Sequence, residues 1–267
     1  MTARTFLVRG LLAGLIAGLA AFAVAYVVGE PQVETAIGLE QSATGSPADP
    51  ATAPHDHAPG TPAEHSHGDE DAVVSRTVQS TVGLLTGNLA VGIALGGLVG
   101  LASAAAVGRI GRLTPRQSTG LVALVGFVAF ALVPFLKYPA TPPAVGSGET
   151  IGDRTALYFG FVAISLAAAF VAVLVGRRIA ASSGAYVGTI AGVSAYLLVV
   201  MVAGTLMPTV DEVGDFPADT LWFFRRASLL TLATLWAALG VALAGFVGVD
   251  HERAVARQRR RELATSL

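Results

Sequence analysis

Six stretches of nineteen or more residues carry no charged side chain, and they dominate what this 267-residue chain can become. They are Gly10 to Val28, Val82 to Val107, Ser118 to Leu136, Thr155 to Gly176, Gly184 to Met207 and Ala227 to Val249. A helix needs about 20 apolar residues to cross the hydrocarbon core, so each run is long enough to span a bilayer. Inside lipid the backbone must satisfy its own hydrogen bonds, which a helix does within one segment. Composition agrees: hydrophobic residues make up 53% and charged residues 13%, against roughly 25% charge in an average soluble domain. The expected fold is an all-α integral membrane protein, a bundle of six transmembrane helices. Cleavage of the first run as a signal peptide would leave five. Its 19 uncharged residues exceed the roughly 7–15 of a signal h-region, so it is read as a retained helix.

Charge placement orients the bundle. Arg4 and Arg9, then Arg109, Arg112 and Arg116, then Arg177 and Arg178, then Arg253, Arg257, Arg259, Arg260 and Arg261 put 12 of the 17 basic residues on one side. Only Asp250, Glu252 and Glu262 among the acids share that side. By the positive-inside rule both termini are expected in the cytoplasm of a multi-pass inner-membrane protein, with the acidic loops outside. The expected organisation is a first transmembrane helix over 1–28, an external loop over 29–76, a five-helix membrane bundle over 77–249 and a basic cytoplasmic tail over 250–267. Gly10, Gly14 and Gly18, like Gly92, Gly96 and Gly100, recur at helical spacing and would let helix backbones approach closely.

Several functions are excluded or disfavoured. The chain has no cysteine, so disulfides, thiolate metal sites and cysteine nucleophiles are out. It has no P-loop, no His-Glu-x-x-His and no Gly-x-Ser-x-Gly sequence, and no enzymatic activity is expected. A net charge of −1 gives no reason to expect nucleic acid as a partner.

The chemistry lies in the external loop. From Ser42 to Asp71 there is almost nothing large and apolar to bury, so disorder is expected there. Within it stand His55-Asp56-His57 and His65-Ser66-His67, with Glu64, Asp69, Glu70 and Asp71 nearby. Imidazole and carboxylate together suit borderline divalent ions. His55, His57, His65 and His67 are therefore metal-capture candidates, with plain solvated sequence as the bland alternative. Glu30, Glu34 and Glu40 follow the first span and could form an oxygen-ligand vestibule. Glu30 and Pro31 are expected to end that span, with a short interfacial helix over 30–40. Arg76, Lys137, Arg154, Arg225 and Arg226 border spans on the acidic side. They are expected to pair with Glu30, Glu34, Asp153 or Asp219, or to snorkel. Leu221-Trp222-Phe223-Phe224 looks like an aromatic belt. Asn88, Met201 and Met207 are possible ion contacts inside the spans, although polar groups there more often bond to backbone carbonyls or across helices.

Several blocks resemble one family. Glu30 to Glu40 (EPQVETAIGLE), Val74 to Gln79 (VSRTVQ) leading into Gly83 to Gly87, Phe135 to Gly146 (FLKYPATPPAVG), Thr150 to Tyr158 and Leu221 to Leu229 are similar to the CbtA family of cobalt transporter subunits. The resemblance runs through most of the chain in the family's order. It implies cobalt(II) as a carried ion with no resident cofactor, and a role in supplying cobalamin synthesis. It also implies a one-span CbtB-like companion subunit with its own histidine cluster. The family is usually described with five spans, one fewer than the runs here. The matched positions are Glu30, Glu34, Glu40, Arg76, Gln79, Lys137, Tyr138, Pro139 and Arg154. The paired histidines lie outside these blocks and rest on ligand chemistry alone. The expected function is an integral membrane subunit of a divalent metal importer, working with lipid, the companion and further copies of itself. The alternative is a non-transporting assembly or metal-sensing subunit that docks a separate permease.

Overall fold

The computed structural model describes residues 1–44, 75–111 and 113–266. His55, His57, His65 and His67, together with the acids around them, lie outside the described residues. Six long helices account for nearly all of what is described, and all six are long and apolar enough to span a membrane. No strand occurs among the described residues. The chain is a multi-pass membrane protein with an all-α bundle, and its six helices exceed the five spans implied by the family resemblance.

Helix α1 comprises Ala3–Val24, a π-helical turn Ala25–Gly29 and a second α-helical stretch Glu30–Thr44. Helix α2 runs through Arg76–Val78, a π-turn Gln79–Gly83 and Leu84–Ala106. Helix α3 has the same make-up, with Pro115–Gly126, a π-turn Phe127–Leu132 and Val133–Lys137. Helices α4 (Ile151–Ser183) and α5 (Ala185–Leu206) are joined by Gly184 alone, at φ 87°, a left-handed conformation that favours glycine. Helix α6 (Ala218–Thr265) has 48 residues, or about 72 Å at 1.5 Å per residue, so it extends well beyond a bilayer.

The first helix does not end at Glu30-Pro31 as the sequence suggested. The π-turn is the reason. Proline has no N–H to give and its ring crowds the carbonyl four residues back, so it normally kinks or breaks a helix. Here the Glu30 N–H bonds to the Ala25 carbonyl, five residues back, and this wider turn accommodates Pro31 immediately after it. Helix α3 repeats the device: the Val133 N–H reaches the Val128 carbonyl, and Pro134 follows. The basic tail is likewise helical, continuing α6 to Thr265.

Packing follows the small residues. The three glycines of α1 lie against the three of α2: a Cβ added at Gly10 or Gly14 would strike the carbonyl of Gly96 or Gly92, and one added at Gly18 would lie 2.7 Å from the Asn88 carbonyl. Helices α3 and α6 complete a four-helix body around Phe6, Ala13, Ala17, Leu95, Leu239 and Leu243. Helices α4 and α5 pack chiefly on each other, with Gly176 meeting Gly188 and Gly192. Their connection to the body is a smaller cluster in which Tyr138 meets Phe161 edge-on at 6.0 Å, with Ala168 and Val200 alongside. Large apolar side chains such as Leu19, Leu98, Phe170 and Leu198 stay exposed, as lipid-facing surfaces require.

Both termini lie at one end of the bundle. Arg9 on α1 makes a two-point ion pair with Asp250 on α6 at 2.8 and 3.0 Å, and its guanidinium lies over the Phe246 ring. The opposite, far end carries the connections 138–150 and 207–217.

Candidate functional site, a cavity at the far end

A cavity of about 760 Å³ lies at the far end, between the four-helix body and the α4–α5 hairpin. Its wall takes residues from α1 (Ala25, Gly29, Glu30, Val33), from α2 (Leu84, Asn88), from the end of α3, from the start of α4, from the α5–α6 connection and from α6. Along α6 the lining runs inward from Arg225 through Ser228 to Thr231, six residues or about 9 Å. Below that level α6 turns Leu235, Trp236, Leu239, Leu243 and Val247 into the core, filling the bundle toward the termini. A second recess, of about 560 Å³, flanks the Arg9–Asp250 pair at the other end.

The rim is built from charged groups in defined pairs. Glu30 accepts a bond from Arg76, tying the outer turns of α1 and α2. Arg154 lies with Nε 3.4 Å from Glu212 and donates to the carbonyls of Val145 and Ser147. Glu212 also accepts from the Thr150 hydroxyl at 2.9 Å, so the α5–α6 connection is fastened to the start of α4. Gly146, at φ 88°, sits directly beneath this pair, where an added Cβ would strike both Arg154 and Glu212. Lys137 donates to the Met207 carbonyl at 3.2 Å and lies over the Tyr138 ring. The Tyr138 hydroxyl donates to the Pro208 carbonyl at 2.7 Å. Burial pushes this phenol above its ordinary 10.0, so it stays a protonated donor beyond the pH at which a free phenol would ionise.

The floor has a different character. Ser228 donates its hydroxyl proton to the Phe224 carbonyl and Thr231 donates to Ala227, while the Asn88 amide N–H₂ donates to Leu84. The two hydroxyl donors are committed to the helix backbone, so those side chains offer oxygen acceptors, and Asn88 offers its amide oxygen together with its second N–H.

Of the candidates read from sequence, Glu30 is in the wall and Glu34 and Glu40 are exposed farther along α1, outside it. Among the described residues no group of three or more histidine, aspartate or glutamate side chains is placed to hold a metal. Five of the nine family-like positions, Glu30, Lys137, Tyr138, Pro139 and Arg154, line this one cavity, and a sixth, Arg76, bonds to Glu30. The Arg76–Glu30 pairing was among those expected. Arg154 pairs with Glu212 instead of Asp153 or Asp219, both of which are exposed. No local signal marks Glu212, which lies in a different loop from its partner. Met201 is 68% exposed and not in the cavity wall, whereas Met207 contributes its carbonyl to Lys137.

A family model described as "Probable cobalt transporter subunit (CbtA)" matches residues 3–248. The chain belongs to the CbtA family. The match takes in all six helices through the membrane-crossing part of α6, and therefore every wall of the cavity. No curated protein and no solved structure matches the chain.

Proposed function

We propose that this CbtA-family chain is the membrane-spanning subunit of a cobalt(II) importer that supplies cobalamin synthesis. In this reading the far end faces outward, the termini are cytoplasmic and the membrane is the inner membrane. The observation that carries it is the far-end cavity. It reaches into the bundle, gathers five of the nine family-like residues and ends on side chains that offer oxygen acceptors, the ligand type that hard and borderline cations accept. Segregation of the arginines supports the orientation.

Metal would be gathered by His55, His57, His65 and His67 and by the carboxylates of Glu34 and Glu40 on the exposed extension of α1. A tethered collector raises local ion concentration without lying on the path. An inward-negative potential contributes about 2.3 kcal/mol per unit charge per 100 mV, hence about 4.6 for a divalent ion. A one-span CbtB-like companion is the expected partner, beside lipid and further copies of this chain.

The test is cobalt uptake into liposomes carrying the full chain, with and without the companion, under an imposed inside-negative potential. Uptake that depends on the chain and rises with the potential is expected. Absence of uptake in both preparations, with cobalt still bound, would favour the assembly or sensing subunit. Replacing all four histidines by Ala should depress uptake at scarce metal and spare it at abundant metal. The wild-type advantage should shrink as external pH falls through about 6.5, where imidazole protonates and stops ligating. Glu30→Gln separates attraction from architecture. Reduced uptake at unchanged folded amount assigns Glu30 to the ion, whereas parallel loss of both assigns it to the pairing with Arg76.

A further inference from the structure

The cavity that this reading treats as the entrance for a cation has walls with a surplus of the same, positive sign. Lys137, Arg154 and Arg225 line it against two carboxylates, Glu30 and Glu212. Both carboxylates are already answered, Glu30 by Arg76 and Glu212 by Arg154. Among the described residues Lys137 and Arg225 form no ion pair; Lys137 bonds to the Met207 carbonyl and lies over the Tyr138 ring, and Arg225 bonds to the Ala140 carbonyl. Among the described residues two positive charges are therefore left uncompensated in a half-enclosed, largely apolar cavity, where low dielectric strengthens them and solvent screens them less than at a surface.

Snorkelling toward lipid headgroups does not describe these two residues. Their neighbour Arg226 shows what that looks like: it is exposed, stacks on the exposed Phe223 at 4.8 Å and is absent from the cavity wall. Arg225, one residue earlier, turns to the other side of α6 and donates across to the 138–150 connection. Lys137 comes from the end of α3, so the two cations belong to different elements of one wall.

We infer that the cavity is a binding site for a small polycarboxylate, held at separate carboxylate groups by Lys137 and Arg225. A lone inorganic anion is too small to fill about 760 Å³, which is in the range that holds small organic ligands. Two cations on separate elements suit a ligand with more than one carboxylate, and guanidinium engages one in a two-point geometry. This much rests on the cavity alone. An extension rests on the transport reading: a polycarboxylate that carries a divalent metal would bring it in as a neutral or negative chelate. The walls would accept that chelate where they repel the bare ion, and the floor oxygens of Asn88, Ser228 and Thr231 would face the metal.

The test uses the full chain in nanodiscs of phosphatidylcholine, with radiolabelled citrate as the probe in metal-depleted buffer. Saturable binding at one citrate per chain is expected. It should weaken about tenfold or more with Lys137→Gln and separately with Arg225→Gln, as loss of a charge-assisted bond requires. Arg226→Gln removes the same charge outside the cavity and should leave binding unchanged. Lys137→Arg keeps the charge and should retain most of it, which guards against misreading a folding defect. No citrate binding, or equal weakening by Arg226→Gln, overturns the proposal. So does inorganic phosphate displacing citrate at equal concentration, which would leave a generic anion site. Displacement by added phosphatidylglycerol overturns it in favour of a lipid headgroup. Comparing cobalt chloride with an equimolar cobalt–citrate mixture reads the extension separately: tighter binding of the mixture supports it, and tighter binding of cobalt chloride removes the extension while leaving the citrate result standing.

Discussion

The four-helix body and the α4–α5 hairpin are both joined through glycine, yet in different ways. In the body, six glycines of α1 and α2 interlock over about two turns, backbone against backbone, and the seam continues into the core formed with α3 and α6. In the hairpin, the close backbone approach lies where Gly176 meets Gly188 and Gly192, near the one-residue turn; it is as tight as the body at Gly188 and looser at Gly192, where an added Cβ would lie 2.9 Å from the Ala172 carbonyl. Toward the far end α4 and α5 are held by side chains instead, with Ser165 bonded to Tyr196 at 2.9 Å and Tyr138 reaching Pro208. The lesson is where movement could occur. A glycine seam has no rotamers to adjust and resists sliding, whereas hydrogen bonds and ring contacts can be exchanged. The cavity lies along the boundary between the two units, so a change in their relative position would change its shape.

The sharpest way to break this contrast is Gly96→Ala. Its new Cβ would strike the Gly10 carbonyl, so α1 and α2 must separate, costing about 2 kcal/mol or more. The amount of folded protein extracted from membranes should fall steeply. Gly192→Ala should fall by less, about 1–2 kcal/mol, because the hairpin has fewer constraints against adjusting. Gly120→Ala, where an added Cβ meets nothing within 4 Å, should be neutral or slightly stabilising and serves as the reference.

Tyr138→Phe addresses the boundary itself. It removes the bond to the Pro208 carbonyl but keeps the ring against Phe161, so thermal stability should drop by about 1 kcal/mol. Faster hydrogen exchange near the far ends of α4 and α5 should accompany the loss, while exchange along the α1–α2 seam stays unchanged. Because burial raises the phenol's pKa above 10.0, wild-type stability from this bond should hold as pH rises through neutrality and decline only above that value. A Tyr138→Phe variant should lack that alkaline decline.

Apart from the Gly120 reference, the smallest effect is expected at the termini. Arg9→Gln removes an ion pair whose arginine is about a third exposed, so solvent discounts it and the loss should stay under about 1 kcal/mol. Protease access to the N-terminal residues is the more sensitive readout. A large drop in stability would mean that the α1–α6 contact, and not the α1–α2 seam, holds the body together.

Much of the architecture could be read directly from the order of residues. Uncharged runs longer than a bilayer needs become helices because lipid offers no other partner for the backbone, and the positions of Arg4 to Arg261 settle which ends belong together. The expected backbone bonding of polar groups within spans is met by Thr86, Thr189, Ser228 and Thr231. Three things needed the tertiary structure. The passage of α1 through Pro31 depends on a π-turn, a choice of hydrogen-bond partner that no residue type dictates. The meeting of Gly10, Gly14 and Gly18 with Gly92, Gly96 and Gly100 depends on helix pairing, because glycine spacing marks a face and not its partner. Glu30, Asn88, Lys137, Tyr138, Arg154, Glu212 and Arg225 come from five helices and two connections and form one cavity only after these have packed. Local sequence fixes each helix through its own backbone and solvent, but the sign of the charge left over in that cavity is decided by which groups end up paired across helices.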